Sequence, residues 1–288
     1  MGSAGAAPQA TSGDAATGDP GAGADAERIR IEVSGAVADV RLVRGDKHNA
    51  LDWAMFTSLD AAASHLHERK DVRAVVLSGE GPSFCSGLDF PSFMAEPSRM
   101  DAMFSHREGD PANLAQRVTY DWQRLPMPVI AALHGNCIGG GAQLALGPDI
   151  RIAAPGTRIS IMEVKYGLIP DMGLTQTLPA LVGLDVAKEL TFTGRFVEAE
   201  EAMRVGLVTR IAEDPHAAAL ELANKIAARS PDAIRRAKRL WNEAARARSE
   251  GSLALEEELQ RELLGSPNQL AAVTAAMSGD PAEFSEPG

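Results

Sequence analysis

From about residue 28 onward, short apolar runs alternate with stretches of helical spacing. In RIRIEVSGAVADVRLVRG, the apolar positions Ile29, Ile31 and Val33, and then Val37, Val40 and Leu42, flank Ser34-Gly35. That pattern predicts a β-hairpin. DWAMFTSLDAAASHLHER carries apolar residues at helical spacing behind Asp52, a candidate N-cap. VRAVVLSG and PVIAALHG are continuous apolar runs bounded by breakers, the mark of buried strands. DIRIAA and TRISIME predict two more short strands, separated by Pro155-Gly156. Strands and helices alternate in this way up to about residue 212, which predicts an α/β fold with a largely parallel, buried sheet. Beyond that point HAAALELANKIAARS, PDAIRRAKRLWNEAARARS, SLALEEELQRELLG and PNQLAAVTAAMSG all read as helices, with Ser230 a candidate N-cap ahead of Pro231. The expected division is a disordered tail over 1–27, a core over 28–212 and a helical region over 213–288. The apolar stripes of that last region must pack on the core or on another subunit.

Composition narrows the function more than the fold. The chain is 45% hydrophobic and 23% charged, an ordinary globular mixture. Its formal net charge of -11 argues against an extended nucleic-acid surface, which needs clustered Lys and Arg. A small anionic ligand on a local basic patch stays open. Cys85 and Cys137 give neither a disulfide framework nor metal-ligand spacing, and their apolar neighbours predict inert, buried thiols. No run approaches the ~18 apolar residues of a membrane span. The first 26 residues are mostly Ala, Gly, Ser, Thr, Pro and Asp, without the basic and apolar regions of a secretory signal. A cytoplasmic protein with no metal and no separate cofactor is expected.

Three segments carry candidate chemistry. In HGNCIGGGAQLALGPDI, Gly139, Gly140 and Gly141 stand between an apolar run and a short helix. A strand entering a helix through bare glycine leaves backbone N–H groups unpaired, and a substrate oxygen can approach them closely. Tight helix–strand packing explains the same glycines equally well. GEGPSFCSGLDF places a second elbow, Gly87-Leu88, at the C-terminal end of a predicted strand, where α/β folds bind ligands. Asp89 reads as the cap of the next turn. In ISIMEVKYGLIPDMGLTQTLP, Glu163 falls among Ile161, Met162 and Val164, a setting that raises a carboxyl pKa. Asp171 follows between Pro170 and Met172. Either acid can be a proton shuttle, or simply a loop charge paired with a residue such as Lys165.

Taken in order, DKHNALDWAMF, SFCSGLDF, PVIAALHGNCIGGGAQLAL, DIRIAA, MEVKYGLIPDMGLTQTLPALVG and TGRFVEAEEAMRVGLVTRI resemble the crotonase (enoyl-CoA hydratase/isomerase) superfamily, from about residue 28 to 284. The resemblance implies a spiral of ββα turns with a C-terminal helical region, an assembly of trimers or paired trimers, and an acyl-CoA thioester substrate. Coenzyme A would enter only as part of that thioester. The family's two oxyanion-hole N–H groups fall on Leu88 and Gly140, with Gly87, Gly139 and Gly141 leaving room for the thioester oxygen. Lys47, Asn49 and Ala50 occupy the family's loop near the nucleotide end of CoA. Lys238 and Arg239 are candidates for its phosphates, and residues 90–114 for the wall or cover of the acyl pocket.

The family's hydratases use two glutamates. One matches Glu163, but the other position holds Gln143, which cannot exchange a proton near neutrality. Gln143 is therefore expected to hold substrate or a water rather than to deliver a proton. Double-bond isomerisation needs fewer groups, and the spacing of Glu163, Gly167 and Asp171 is similar to the dienoyl-CoA isomerase branch. The expected function is a shift of double bonds in enoyl-CoA or dienoyl-CoA through a stabilised enolate. Enoyl-CoA hydration and silent acyl-CoA binding are the alternatives.

Overall fold

The structure, a computed structural model, describes residues 27–229, 231–246, 257, 260–261 and 264–280. The expected tail therefore lies outside the described residues but for its last position, as do Ser230 and most of SLALEEELQRELLG. The predicted hairpin forms from β1 (Ile29–Ser34) and β2 (Val37–Leu42), paired antiparallel from Ile29 with Leu42 to Ser34 with Val37. Asp52 caps α1 (Trp53–Glu68), its Oδ1 accepting the Met55 N–H at 2.8 Å. β3 (Ala74–Gly79) then lies parallel to β2. Asp89 caps α2 (Phe90–Ala95), which is followed by α3 (Ser98–Met103) and α4 (Leu114–Arg124). A reciprocal capping box of Asn113 and Gln116 fixes the start of α4.

From here the chain visits two sheets by turns. β4 (Val129–Leu133) joins the first sheet and β5 (Asn136–Ile138) the second, before α5 (Gly140–Leu146). β6 (Ile150–Ala153) returns to the first and β7 (Arg158–Ser160) to the second. After α6 (Leu178–Leu181) and α7 (Leu184–Thr193), β8 (Val197–Glu198) extends the second sheet. α8 (Ala199–Val205) leads to β9 (Arg210–Ile211) on the edge of the first. The sheet orders are β1-β2-β3-β4-β6-β9 and β5-β7-β8, which is the expected α/β spiral. β5, β8 and β9 are not predicted individually, because two or three residues are too few to display a period.

The main core lies between the sheets, α1 and α4, with Phe56, Leu59, Leu77, Trp122 and Leu133 fully buried. On the far face of the first sheet, Ala219 and Ala223 of α9 (Pro215–Ala227) pack against Val76, Ile130 and Ile152. Small residues let this helix lie close to the strands. α10 (Pro231–Arg246) is held by one buried cation: Lys238 Nζ meets Asp149 at 2.7 Å and donates to the Met127 carbonyl at 3.0 Å. The same Asp149 carboxylate accepts the Val129 N–H at 2.7 Å, so the start of β4 and α10 share one anion. A final helix, Pro267–Ser278, ends in a left-handed Gly279. No helix among the described residues is long and apolar enough to cross a membrane.

Removing one partner of a buried pair leaves the other uncompensated. Lys238→Ala should therefore lower the unfolding free energy by about 3 kcal/mol in urea denaturation. A change below about 0.5 kcal/mol, the range of an ordinary surface substitution, would show that Asp149 does not depend on it.

Candidate active site

The two glycine elbows meet at one cavity of about 120 Å³, which Gly87, Leu88, Gly139 and Gly140 line together with Glu163 and Asp171. Leu51 N–H donates to the Gly87 carbonyl at 2.8 Å, and Asp89 N–H donates to the Leu51 carbonyl at 3.0 Å. In extended backbone, successive N–H groups point to opposite sides, so that of Leu88 points away from Leu51. Gly140 opens α5, and its N–H has no acceptor within the helix. The elbows abut: a Cβ on Gly87 would lie 2.5 Å from the Ile138 carbonyl and 3.5 Å from Gly140 N. Gly87 also has φ 89° and Gly139 has φ 54°, a left-handed region that favours glycine.

Glu163 and Gln143 form the polar centre of the cavity. The Met172 N–H, which can only donate, lies 2.9 Å from Gln143 Oε1. That fixes the amide orientation and turns Nε2 toward Glu163 Oε1, at 2.7 Å. Glu163 Oε1 must then be the acceptor, so a proton on this carboxyl sits on Oε2. Oε2 is buried and has no hydrogen-bond partner among the described residues. Burial pushes the Glu163 carboxyl up from its usual 4.5 to about 7, opposed by the weaker pull of its backbone and of Gln143. Lys165 takes no part, since its ammonium lies 5.5 Å from the centre of the Phe196 ring.

Several expected ligand contacts are occupied otherwise. Asn49 is fully buried, and its side chain joins three backbone groups: it accepts the Arg44 N–H at 2.9 Å and donates to Glu80 and Ser83 carbonyls at 2.9 and 2.8 Å. Its amide is committed to holding the loop, not a ligand. Ala50 presents its carbonyl to Arg44 Nη1 at 2.9 Å, and that arginine also meets Asp89 at 2.8 Å. Lys47 is exposed on the same loop, and none of the three lines the cavity. Gly141 is absent from the cavity wall too, because it packs on Cys85, whose carbonyl would lie 2.2 Å from a Cβ there. Lys238 is buried against Asp149 and does not face solvent, while Arg239 is exposed. Gln143 borders the cavity, yet both ends of its amide serve Glu163 and Met172.

Residues 90–114 contribute Phe90, Met100, Met103 and Phe104 to the apolar wall. Tyr166 lines it as well, its ring 4.8 Å from that of Phe90. Met172 went unread in the sequence, although it orients Gln143 and its sulfur would sit 2.8 Å from a Cβ on Gly140. Nothing in the local pattern marks it, because its role is a backbone N–H. Cys85 and Cys137 are buried, with the Cys85 thiol pushed up to about 12 by desolvation. No cluster of metal-ligating side chains occurs among the described residues.

Residues 32–275 match the sequence profile of the enoyl-CoA hydratase/isomerase family. The chain is 34% identical over 250 residues to a short-chain-enoyl-CoA hydratase of Clostridium acetobutylicum, spanning 86% of this chain and 93% of that protein. It is 37% identical over 219 residues to the mitochondrial Delta(3,5)-Delta(2,4)-dienoyl-CoA isomerase of Mus musculus, spanning 72% and 67% respectively. A crystal structure of an enoyl-CoA hydratase/isomerase from Mycobacterium paratuberculosis superposes with a TM-score of 0.77 at 26% identity, covering 86% of this chain and 97% of that one.

The raised Glu163 pKa has a sign that can be tested. The folded state holds this proton more tightly than the unfolded chain does. Its penalty is therefore absent below about pH 4.5, grows as pH rises, and is complete above about pH 7. Glu163→Gln removes it, and should make the protein more stable than wild type by roughly 3 kcal/mol at about pH 8 and by little at about pH 4.5. Equal effects at both pH values in urea denaturation would return Glu163 to the ordinary carboxyl range.

Proposed function

The chain belongs to the enoyl-CoA hydratase/isomerase family, and from that premise we propose that it shifts double bonds in enoyl-CoA or dienoyl-CoA thioesters, with Glu163 carrying the proton. The observation behind this reading is the division of labour between the two Glu163 oxygens. Oε1 is held by Gln143, and Oε2 is buried without a partner at the cavity wall. Oε2 takes a proton from the acyl chain, the electron pair moves toward the thioester carbonyl, and a dienolate forms. The N–H groups of Leu88 and Gly140 receive the charge on the carbonyl oxygen. One such donor supplies about 3–4 kcal/mol in comparable sites. Glu163 Oε2 then returns the proton at a carbon further along the conjugated chain, which moves the double bond and restores the carboxylate. A pKa near 7 suits both halves of that exchange.

Hydration would need a second group that gives up a proton near neutrality. Gln143 cannot be that group, and both ends of its amide are already engaged. The hydratase reading instead rests on Asp171, the other carboxylate lining the cavity, and on likeness to the Clostridium hydratase. Asp171 serves the isomerase reading as a second proton carrier for longer conjugated systems.

Proton NMR of a 2-enoyl-CoA, a 3-enoyl-CoA and a 3,5-dienoyl-CoA incubated with the protein in D₂O separates these readings. A moved double bond without a new hydroxyl is expected, and Glu163→Gln should slow it at least about a hundredfold. A 3-hydroxyacyl product would establish hydration instead. Asp171→Asn should slow the dienoyl substrate more than the 3-enoyl one in the same assay. An equal loss on both would make Asp171 structural.

A further inference from the structure

Leu88 and Gly140 are held by different means. Gly140 is set by α5 and by the packing of its neighbour Gly141 on Cys85. Leu88 lies in the connection between β3 and α2, and its β-pairing is an isolated parallel bridge to Leu51. Two bonds make that bridge: Leu51 N–H donates to the Gly87 carbonyl at 2.8 Å, and Asp89 N–H to the Leu51 carbonyl at 3.0 Å. The Gly87 carbonyl and the Leu88 N–H belong to one planar peptide and point opposite ways. The bond from Leu51 therefore aims the Leu88 N–H. Yet Leu51 ends a loop with two non-glycine residues in the left-handed region, His48 at φ 52° and Asn49 at φ 54°. Such backbone persists only where its surroundings enforce it.

One side chain braces both sides of the bridge. The Arg44 side chain is 15% exposed, and each of its guanidinium nitrogens turns to a residue beside the Leu51–Leu88 pairing. Nη1 donates to the carbonyl of Ala50, just before Leu51, at 2.9 Å. Nε lies 3.5 Å from the carboxylate of Asp52, just after Leu51. Nη2 lies 2.8 Å from Oδ2 of Asp89, just after Leu88. A planar fork serves three such directions at once, which a Lys ammonium on its flexible stem does not. The other Asp89 oxygen, Oδ1, accepts the Ser92 N–H at 3.3 Å as the cap of α2. We propose that Arg44 is a positioning residue for the oxyanion hole: it clamps Ala50 and Asp52 to Asp89 and so keeps the Leu88 N–H on the thioester oxygen. Arg44 does not line the cavity and acts only through the bridge. This rests on the reading of Leu88 and Gly140 as the donors to that oxygen.

A saturated acyl-CoA has no double bond to move or hydrate, so its bound thioester carbonyl reports the hole apart from the reaction. Difference infrared spectroscopy with ¹³C at that carbonyl reads the donors directly, because hydrogen bonds to the oxygen lower its stretching frequency. In the wild-type protein the bound band should lie below that of the free thioester. Arg44→Met should lose about half of this shift, since one of two donors is misdirected. Calorimetry should find the affinity for the same thioester little changed. Asp89→Ser keeps a capping oxygen for α2 but is too short to reach Arg44, and should lose the same part of the shift. It also carries the test should Arg44→Met fail to fold. A full wild-type shift in either folded variant overturns the proposal, whatever the loss of stability, and makes Arg44 purely structural. If the wild type itself shows no shift, the oxyanion-hole reading fails and takes the proposal with it.

Discussion

The segment from Cys85 to Leu88 and the segment from Asn136 to Gly141 run side by side with no room between them for a side chain. A Cβ on Gly87 would meet the Ile138 carbonyl at 2.5 Å, and one on Gly141 would meet that of Cys85 at 2.2 Å. Cys85 N–H donates to the Asn136 carbonyl and Ile138 N–H donates to the Cys85 carbonyl, both at 3.1 Å, so backbone bonds hold the approach. Everything at the cavity follows from this contact. It brings the N–H groups of Leu88 and Gly140 to one wall and seals both thiols beneath them. It also sets Gly139 where a Cβ would lie 3.6 Å from Glu163 Oε1. The two explanations of the glycine triplet therefore do not compete. Gly141 makes the packing, and that packing presents Gly140 to the cavity.

The Gln143 amide settles the second half of the site. Because the Met172 N–H can only donate, the amide has one orientation, and Glu163 has one oxygen left to change its protonation. A residue that is chemically inert toward protons thus decides where the proton resides. The same burial that raises the Glu163 pKa toward neutrality makes its ionised form costly to the fold.

Elsewhere, polar residues that would suit a ligand are committed to the chain itself. Asn49 and Arg44 tie the loop after β2 to the first elbow, through the Glu80 and Ser83 carbonyls and the Asp89 carboxylate. Lys238 neutralises Asp149 under α10. A buried amide or ammonium must find partners inside the protein. Such residues therefore look like candidate ligand contacts in one dimension and like rivets in three.

The order of motifs in the sequence determined the α/β spiral, the two glycine elbows, the caps at Asp52 and Asp89, and the apolar surroundings of Glu163. These features are local, since each rests on residues a few positions apart whose spacing or composition restricts the backbone. Only the tertiary structure decided which partners those residues take. Gln143 and Met172 are 29 positions apart and Asn113 and Glu257 are 144 apart, and neither pairing leaves a trace in a local pattern. The short strands β5, β8 and β9 belong to the same class, because each is extended by the neighbours it pairs with and not by a period of its own. Long-range hydrogen bonds and burial are properties of the closed fold, and they determine which of the polar residues remain free to do chemistry.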